Sequence, residues 1–277
     1  MRVLANNGAF HYHGRRMRTA QDKKSRLDRT LLERGLARDL KEAQALVMAG
    51  EVWVNGRKED KPGRPASAGD AVEVRANRPY VSRGALKIAR AVEELAIAVP
   101  GLKVLDIGIS TGGFSDYFLQ RGAAEVFGVD VTISQVDSRL GANPRLRLLE
   151  KNARFLKKED VPFAPDLIVM DLSFISITAV LPVLRSFPQA RILALVKPQF
   201  EAPRGGVGSG GVIRDREARR SILLHLKRRI EDLDYAVAGW CAAGVRGRRG
   251  NQEYFFLLRQ GKKDSIDDRM IGDAEEI

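Results

Sequence analysis

The sequence predicts an α/β chain: an open, mostly parallel sheet with helices on both faces, preceded by a small α+β module. Three observations predict it. Short apolar runs at 103–107, 125–129, 146–150, 166–171 and 192–196 read as successive strands with helical or loop segments between them. The first of these runs into a glycine-rich turn and then a helix, the opening of a nucleotide-type α/β fold. The first eighty residues instead combine two short amphipathic helices with two short alternating strands, a unit of a different kind.

Composition sets the frame. A chain of 277 residues is long enough for one large domain or two modest ones. At 44% hydrophobic residues it is too apolar to be disordered. Its net charge of +12 points to a polyanionic partner, nucleic acid first and anionic membrane second. Residues 1–80 carry +7, residues 81–260 carry +8 and residues 261–277 carry −3, so both bodies are basic and the acidic end stands apart. One cysteine, Cys241, excludes an internal disulfide framework, and three histidines (His11, His13, His225) leave little for a metal site, so none is expected. No run approaches ~18 apolar residues and no secretory leader stands at the start, so a cytoplasmic protein without membrane insertion is expected.

Residues 1–24 mix Asn, Gly, His and Arg without period and read as a loose basic arm. A helix follows over Ser25 to Gly35, with Leu27, Leu31 and Leu32 as its apolar face and Gly35 as its C-terminal stop. Asp39 reads as the N-cap of a second helix carrying Ala43, Leu46 and Val47, which Gly50 ends. Val52-Trp53-Val54 alternates as a strand into Asn55-Gly56, a hairpin signal, and Ala71 to Val74 reads as another strand.

The stretches R-L-D-R-T-L-L-E-R-G-L-A, A-Q-A-L-V-M-A-G-E-V-W-V-N-G and K-P-G-R-P-A-S-A-G-D-A-V-E-V resemble the S-four-like RNA-binding module over residues 25–75. The resemblance implies a basic helix pair set against an RNA backbone, with Arg26, Arg29, Arg34, Arg38, Lys41 and Lys58 as contacts. Where that family has Ser-Arg opening the second helix, this chain has Asp39-Leu40.

A polar linker at 76–81 contains Pro79 and separates this module from residues 82–260. Ser82 to Leu95 reads as a helix with Leu86, Ala89, Val92 and Leu95 inward and Lys87 on a neighbouring face. Lys103 to Ile107 is the first strand of the sheet. Gly108-Ile109-Ser110-Thr111-Gly112-Gly113 is the turn, and Phe114 to Leu119 is the helix after it. The second strand ends in Asp130, 24 residues beyond Asp106, where a carboxylate can accept both hydroxyls of a ribose. Asn152, after the third strand, is placed for an adenine edge.

Asp106 lies beside the turn, and the glycine spacing is not that of a dinucleotide fingerprint. An acid there suits a cationic or zwitterionic ligand better than a phosphate. S-adenosylmethionine, with a sulfonium and an amino group, fits better than a dinucleotide, which stays the alternative. Asp106, Gly108, Ser110, Thr111, Gly112, Gly113, Phe114, Asp130, Asn152 and Asp171 are the expected cofactor residues.

In such a sheet the ligand sits at the carboxyl ends of the strands. Asp171 and Lys197 end strands four and five, a long helix spans Asp215 to Leu233, and Tyr235 to Trp240 and Glu253 to Leu258 form a closing pair of strands. Lys87 on the entry helix and Glu253 at the last strand complete a set of two lysines and two carboxylates. Transfer of a methyl group from a sulfonium to a ribose hydroxyl needs positioning and a proton acceptor. Lys197 is the expected centre, with Lys87, Asp171 and Glu253 orienting it. Arg83 and the basic loop residues Arg246, Arg248 and Arg249 are expected on RNA. Phe174 reads more readily as core than as a pocket wall, and Cys241 as buried. Ser110 and Ser173 have no histidine in range for a hydrolase triad.

Six motifs carry a second resemblance: S-R-G-A-L-K at 82–87, L-D-I-G-I-S-T-G-G-F at 105–114, M-D-L-S-F-I-S at 170–176, L-V-K-P-Q-F-E at 195–201, G-G-V at 210–212 and N-Q-E-Y-F at 251–255. They resemble FtsJ-type RNA 2′-O-methyltransferases. Those enzymes share a Lys-Asp-Lys-Glu tetrad, which falls here on Lys87, Asp171, Lys197 and Glu253. With the first module in front, the chain resembles the TlyA family, whose members are described as haemolysin-like proteins or as cytidine 2′-O-methyltransferases of 16S and 23S ribosomal RNA. The resemblance implies a Rossmann-like class I methyltransferase sheet behind the small α+β module. It also implies S-adenosylmethionine as cofactor and ribosomal RNA, free or within ribosomal subunits, as substrate. Ala85-Leu86 replaces a common Gly-His pair and Tyr80 a common tryptophan.

A membrane-active haemolysin and an RNA-binding assembly protein with an inactive fold are the competing functions. The first needs a strongly amphipathic basic helix, for which 221–233 is the nearest match. The acidic residues 261–277 are expected to be disordered.

Overall fold

The computed structural model describes residues 24–74, 79–203, 210–247, 250–261, 263 and 265–272. The arm with His11 and His13, linker residues 76–78, and Arg248 and Arg249 lie outside the described residues. The chain divides into two compact units, with the boundary between residues 78 and 79.

The first unit contains β1 (Ser25–Arg26), α1 (Leu27–Glu33), α2 (Leu40–Met48), β2 (Val52–Val54), β3 (Arg57–Glu59), β4 (Pro65–Ala66) and β5 (Val72–Val74). Leu27, Leu31, Ala43, Val47, Val52 and Val54 make its core. Leu32 is not part of it: it is 41% exposed, because Asp28 and Thr30 share the inward side of this short helix. The N–H of Gly35 donates to Leu32 O and that of Leu36 to Leu31 O, which closes α1 at a residue with φ +67°. Asp39 caps α2 by accepting from the Glu42 N–H at 2.8 Å, worth about 1 kcal/mol. Asn55 and Gly56 have φ of 52° and 76°, the left-handed pair that a two-residue hairpin between β2 and β3 requires.

The second unit contains α3 (Gly84–Glu94), β6 (Lys103–Ile107), α4 (Gly113–Gln120), β7 (Glu125–Asp130), α5 (Ser138–Gly141), β8 (Leu146–Glu150), β9 (Leu167–Met170), α6 (Leu181–Leu184), β10 (Arg191–Val196), α7 (Pro198–Glu201), α8 (Arg216–Asp232), β11 (Tyr235–Ala242) and β12 (Tyr254–Gln260). The sheet order is β11-β12-β10-β9-β6-β7-β8, and only β12 runs against its neighbours. From β6 the chain winds outward through β7 and β8, then crosses to β9 on the other side. That reversal opens a crevice at the carboxyl ends of β6 and β9. Strand β9, Leu-Ile-Val-Met, is fully buried because helices cover both faces of the sheet.

Two expectations change here. The inward face of α3 is Ala85, Ile88, Ala91 and Val92, while Leu86 is 44% exposed. The helix packs closely on α4, where Gly113 lies against Gly84 and Ala85, and close approach selects small residues over the largest apolar one. The acidic C-terminal stretch is also docked in part. Ile271 is fully buried, Ile266 N–H donates to Val237 O at 2.8 Å, and Asp268 pairs with Lys227 of α8 at 2.9 Å. The opposite charge of basic α8, together with one apolar anchor, fixes a segment whose composition alone suggests disorder.

Candidate active site

The site grows from the ends of β6, β9 and β10. Asp171 follows β9 and donates its backbone N–H to Ile107 O at 3.0 Å, so it stands directly beside the glycine turn. Gly108, with φ +83°, is required there: a Cβ would lie 2.6 Å from Asp171 O. Lys197 follows β10 and is 8% exposed. Its Nζ meets Asp171 Oδ1 at 2.5 Å, Leu172 O at 2.8 Å and Ser173 Oγ at 3.0 Å. Three acceptors match the three N–H bonds of an ammonium.

The second pair comes from elements far apart in sequence. In the antiparallel β10–β12 ladder Val196 stands opposite Tyr254, and one further step sets Lys197 opposite Glu253. Glu253 Oε2 is 2.6 Å from Lys87 Nζ, which the first turn of α3 presents. Asn251 holds the approach to β12, accepting from Ile213 N–H at 3.0 Å and donating to Gly211 O at 2.8 Å. The G-G-V and N-Q-E-Y-F motifs thus act together. The four charged residues singled out in the sequence form two ion pairs, which the β10–β12 register sets at neighbouring strand ends.

The cofactor residues divide. Asp106 is 1% exposed; its Oδ2 accepts from Ser115 Oγ at 2.6 Å and from Ser115 N–H at 3.1 Å, while Oδ1 is buried without a partner. Burial, with a smaller push from the Asp171 charge, raises its pKa to about 7. Asp130 accepts from Ser110 N–H at 2.9 Å and Thr132 N–H at 3.3 Å, which ties the turn to the end of β7. Asn152 lies on the adjoining strand end, exposed, with its carbonyl oxygen accepting from Arg154 N–H. Thr111 O accepts from Asp137 N–H at 3.2 Å.

Three of the expected cofactor residues are held by packing. Gly112 abuts Leu140, Gly113 abuts α3, and Phe114 is 4% exposed with its ring 5.9 Å from Phe255 in the core. Phe174 is the reverse case. It is 86% exposed with φ +68°, its ring 5.1 Å from that of Phe200, so it is no core residue.

The expected RNA contacts also divide. Arg34 is a structural staple, donating to Ser67 O, Ala68 O and Asp70 O. Arg26 forks onto Asp28 and Arg38 onto Glu42. Arg29, Lys41 and Lys58 are exposed. Arg83, just before α3, donates to Arg246 O at 3.3 Å, so both arginines rim the Lys87–Glu253 pair. Sequence reading missed Asn251, Ser173 and Glu201, although each lies inside a quoted motif.

An orphaned buried carboxylate oxygen beside the turn, and a second carboxylate at the neighbouring strand end, fit a ligand with a cationic group and a ribose. They offer nothing to a phosphate.

The chain matches the family model described as FtsJ-like methyltransferase over residues 80–260 and that described as S4 domain over residues 25–72. It is 41% identical over 257 residues to the 16S/23S rRNA (cytidine-2′-O)-methyltransferase TlyA of Mycobacterium tuberculosis (strain CDC 1551 / Oshkosh), covering 91% of this chain and 96% of that one. Hemolysin A of Brachyspira hyodysenteriae is 37% identical over 83% of this chain and 97% of its own length. A solved structure of a hemolysin-named protein from Streptococcus thermophilus aligns with a TM-score of 0.69 at 32% identity, covering 90% of this chain and 94% of that one. With the tetrad positions filled and both domain models matched in order, the chain belongs to the TlyA family of FtsJ-like methyltransferases with an N-terminal S4 domain.

Proposed function

We propose that this protein transfers a methyl group from S-adenosylmethionine to a ribose 2′-hydroxyl of ribosomal RNA, with cytidine as the target nucleoside. The observation that carries the reading is the meeting of two Lys–carboxylate pairs beside a glycine turn with an orphaned carboxylate. S-adenosylmethionine, when bound, supplies a methyl group that is already activated. The chain's own residues then have two tasks, positioning and proton handling.

Asp106 holds the cationic end of the cofactor and Asp130 its ribose hydroxyls. Asp171 and Lys197 face the target hydroxyl. Lys197 Nζ, as the amine, takes the hydroxyl proton. The ammonium that forms keeps Asp171 and Leu172 O as acceptors already in place, and its third N–H, on the side of Ser173 Oγ, carries the proton taken from the ribose hydroxyl. Ser173 Oγ, the longest and only uncharged side-chain contact, is the one an incoming hydroxyl displaces. Lys87 and Glu253 neutralise each other and wall the opposite side. The exposed ring of Phe174 offers a stacking face to a base at the rim. Arg29, Lys41, Lys58, Arg83 and Arg246 meet phosphates.

The hemolysin names suggest membrane activity as a second reading. Among the described residues no helix is long and apolar enough to cross a membrane. The apolar side of basic α8 (Ile222, Leu223, Leu226, Ile230) is already buried against the sheet, so it is not available to lipid.

The reading is tested by incubating the protein with labelled S-adenosylmethionine and ribosomal RNA, free or as subunits; label on a ribose 2′-oxygen supports it and absence of label from every form contradicts it. Two narrower results are expected. Asp130→Ala strands the ribose hydroxyls and weakens cofactor binding by about 10–100-fold in calorimetry; unchanged affinity would place the cofactor elsewhere.

Asp106 gives a pH signature. Its carboxyl is half protonated near pH 7 and the cofactor's cationic group favours the charged form. Binding therefore releases a proton, and affinity rises as pH climbs through about 7. In the free protein the sign is opposite. A raised acid pKa makes folding stability fall as pH rises from the unfolded value toward about 7. Asp106→Asn removes both slopes; a binding enthalpy independent of buffer ionisation heat in the wild type would contradict the assignment.

A further inference from the structure

Glu201 lies outside the tetrad, yet it is 5% exposed, as buried as Lys197. The two residues flank α7, one before it and one at its end. Both grip the same segment. Lys197 Nζ holds its start through Leu172 O and Ser173 Oγ. The carboxylate of Glu201 holds its end, accepting from Ser176 Oγ at 2.5 Å and from Ile177 N–H at 2.9 Å. Arg229 of α8 backs this grip, 3.8 Å from Glu201 Oε2 and donating to Thr178 Oγ1 at 2.6 Å. Ser176 Oγ also lies 2.8 Å from Thr178 Oγ1.

Between the two grips, residues 173–175 are exposed and Phe174 sits at φ +68°. A phenylalanine in the left-handed region is strained, and such a conformation persists only where its surroundings over-determine it. The Phe174 ring meets that of Phe200 but is 86% exposed, so packing supplies little of that constraint. The buried hydrogen bonds at the end of the segment can supply the rest.

We propose that Glu201 is a positioning residue for methyl transfer: by anchoring Ser176 and Ile177 it fixes the 172–176 segment, and with it the acceptors that orient Lys197 Nζ. The inference rests on the methyl-transfer reading. A burial cost on the carboxylate is consistent with it, since desolvation raises the Glu201 pKa although Ser176, Ile177 and Arg229 favour the charged form. A residue serving the fold alone has cheaper apolar substitutes.

The test uses the full-length protein. Turnover, RNA KM, cofactor affinity and melting temperature are measured for wild type, Glu201→Ala, Glu201→Gln and a control, Val104→Ala, which opens the core near the amino end of β6 in the other core cluster. Glu201→Ala is expected to lower kcat by about 10–100-fold with cofactor affinity within about twofold, because the loss falls on the orientation of Lys197. Glu201→Gln keeps an acceptor for Ile177 N–H and recovers most of the rate. The losses of Glu201→Ala and Ser173→Ala should fail to multiply in the double variant, since both act through one lysine. Ser176→Ala removes a single hydroxyl, gives a smaller fall in kcat, and covers the case in which Glu201→Ala does not fold. A wild type that transfers no methyl overturns the reading beneath the proposal and the proposal with it. An active wild type whose Glu201 and Ser176 variants keep full kcat, or lose no more than a control equally lowered in melting temperature, overturns the role of Glu201 alone. So do losses that multiply.

Discussion

Lys197→Ala is expected to lower methyl transfer by about 10²–10⁴-fold, the range for removal of a general base. Cofactor and RNA affinities should change little, because neither the Asp106–Asp130 side nor the exposed arginines touch its Nζ. The fold is also expected to weaken, by about 1–3 kcal/mol, since Leu172 O and the Asp171 carboxylate lose their buried donor. The rate assay is therefore run well below the melting temperature of the variant. Full activity in Lys197→Ala would remove the lysine from the chemistry.

The second large effect concerns the first unit. Deleting residues 1–78 removes the exposed cations Arg29, Lys41 and Lys58 together with the module that carries them. The second unit keeps its own two core clusters, so it should remain folded and bind cofactor as before. Affinity for ribosomal RNA should fall by about tenfold or more, and the slope of log K against log salt should flatten by about 2–3. Filter binding across a salt series checks this. An unchanged slope would assign the phosphate contacts to the second unit. Arg34→Ala offers a contrast, because its guanidinium is spent on the 67–70 turn; that change should lower stability more than it alters the salt slope.

Much of the fold was legible because buried parallel strands are continuous apolar runs, and 167–170 could hardly be anything else. A cap was legible where one side chain does the work, as at Asp39. Faces of helices were less so. The spacing of Leu86, Ala89 and Val92 is as helical as that of Ala85, Ile88 and Val92, and only the demand for close packing on α4 decides between them. Strand-end chemistry was legible because topology forces it to converge: Lys197 and Glu253 face each other through the β10–β12 register. What could not be read was the direction of individual side chains. Phe114 and Phe174 are both phenylalanines in motifs beside the site; one turns into the core and the other into solvent because the backbone at 174 is left-handed. The role of Glu201 was hidden for a similar reason, since it depends on a four-residue helix whose two ends hold a loop from elsewhere. The docked 265–272 segment required knowing that a basic helix lies beneath it.

The central claim is that Lys197, set by Asp171 and the 172–176 segment, drives methylation of a ribose 2′-oxygen in ribosomal RNA. Nucleotide-resolution mapping of 2′-O-methyl groups on ribosomal RNA from cells lacking the protein, and from the same cells supplied with wild type or Lys197→Ala, tests it most directly. The account predicts at least one cytidine mark that is absent without the protein, restored by the wild type and not by the variant. Identical maps in all three, or restoration by the variant, would contradict it.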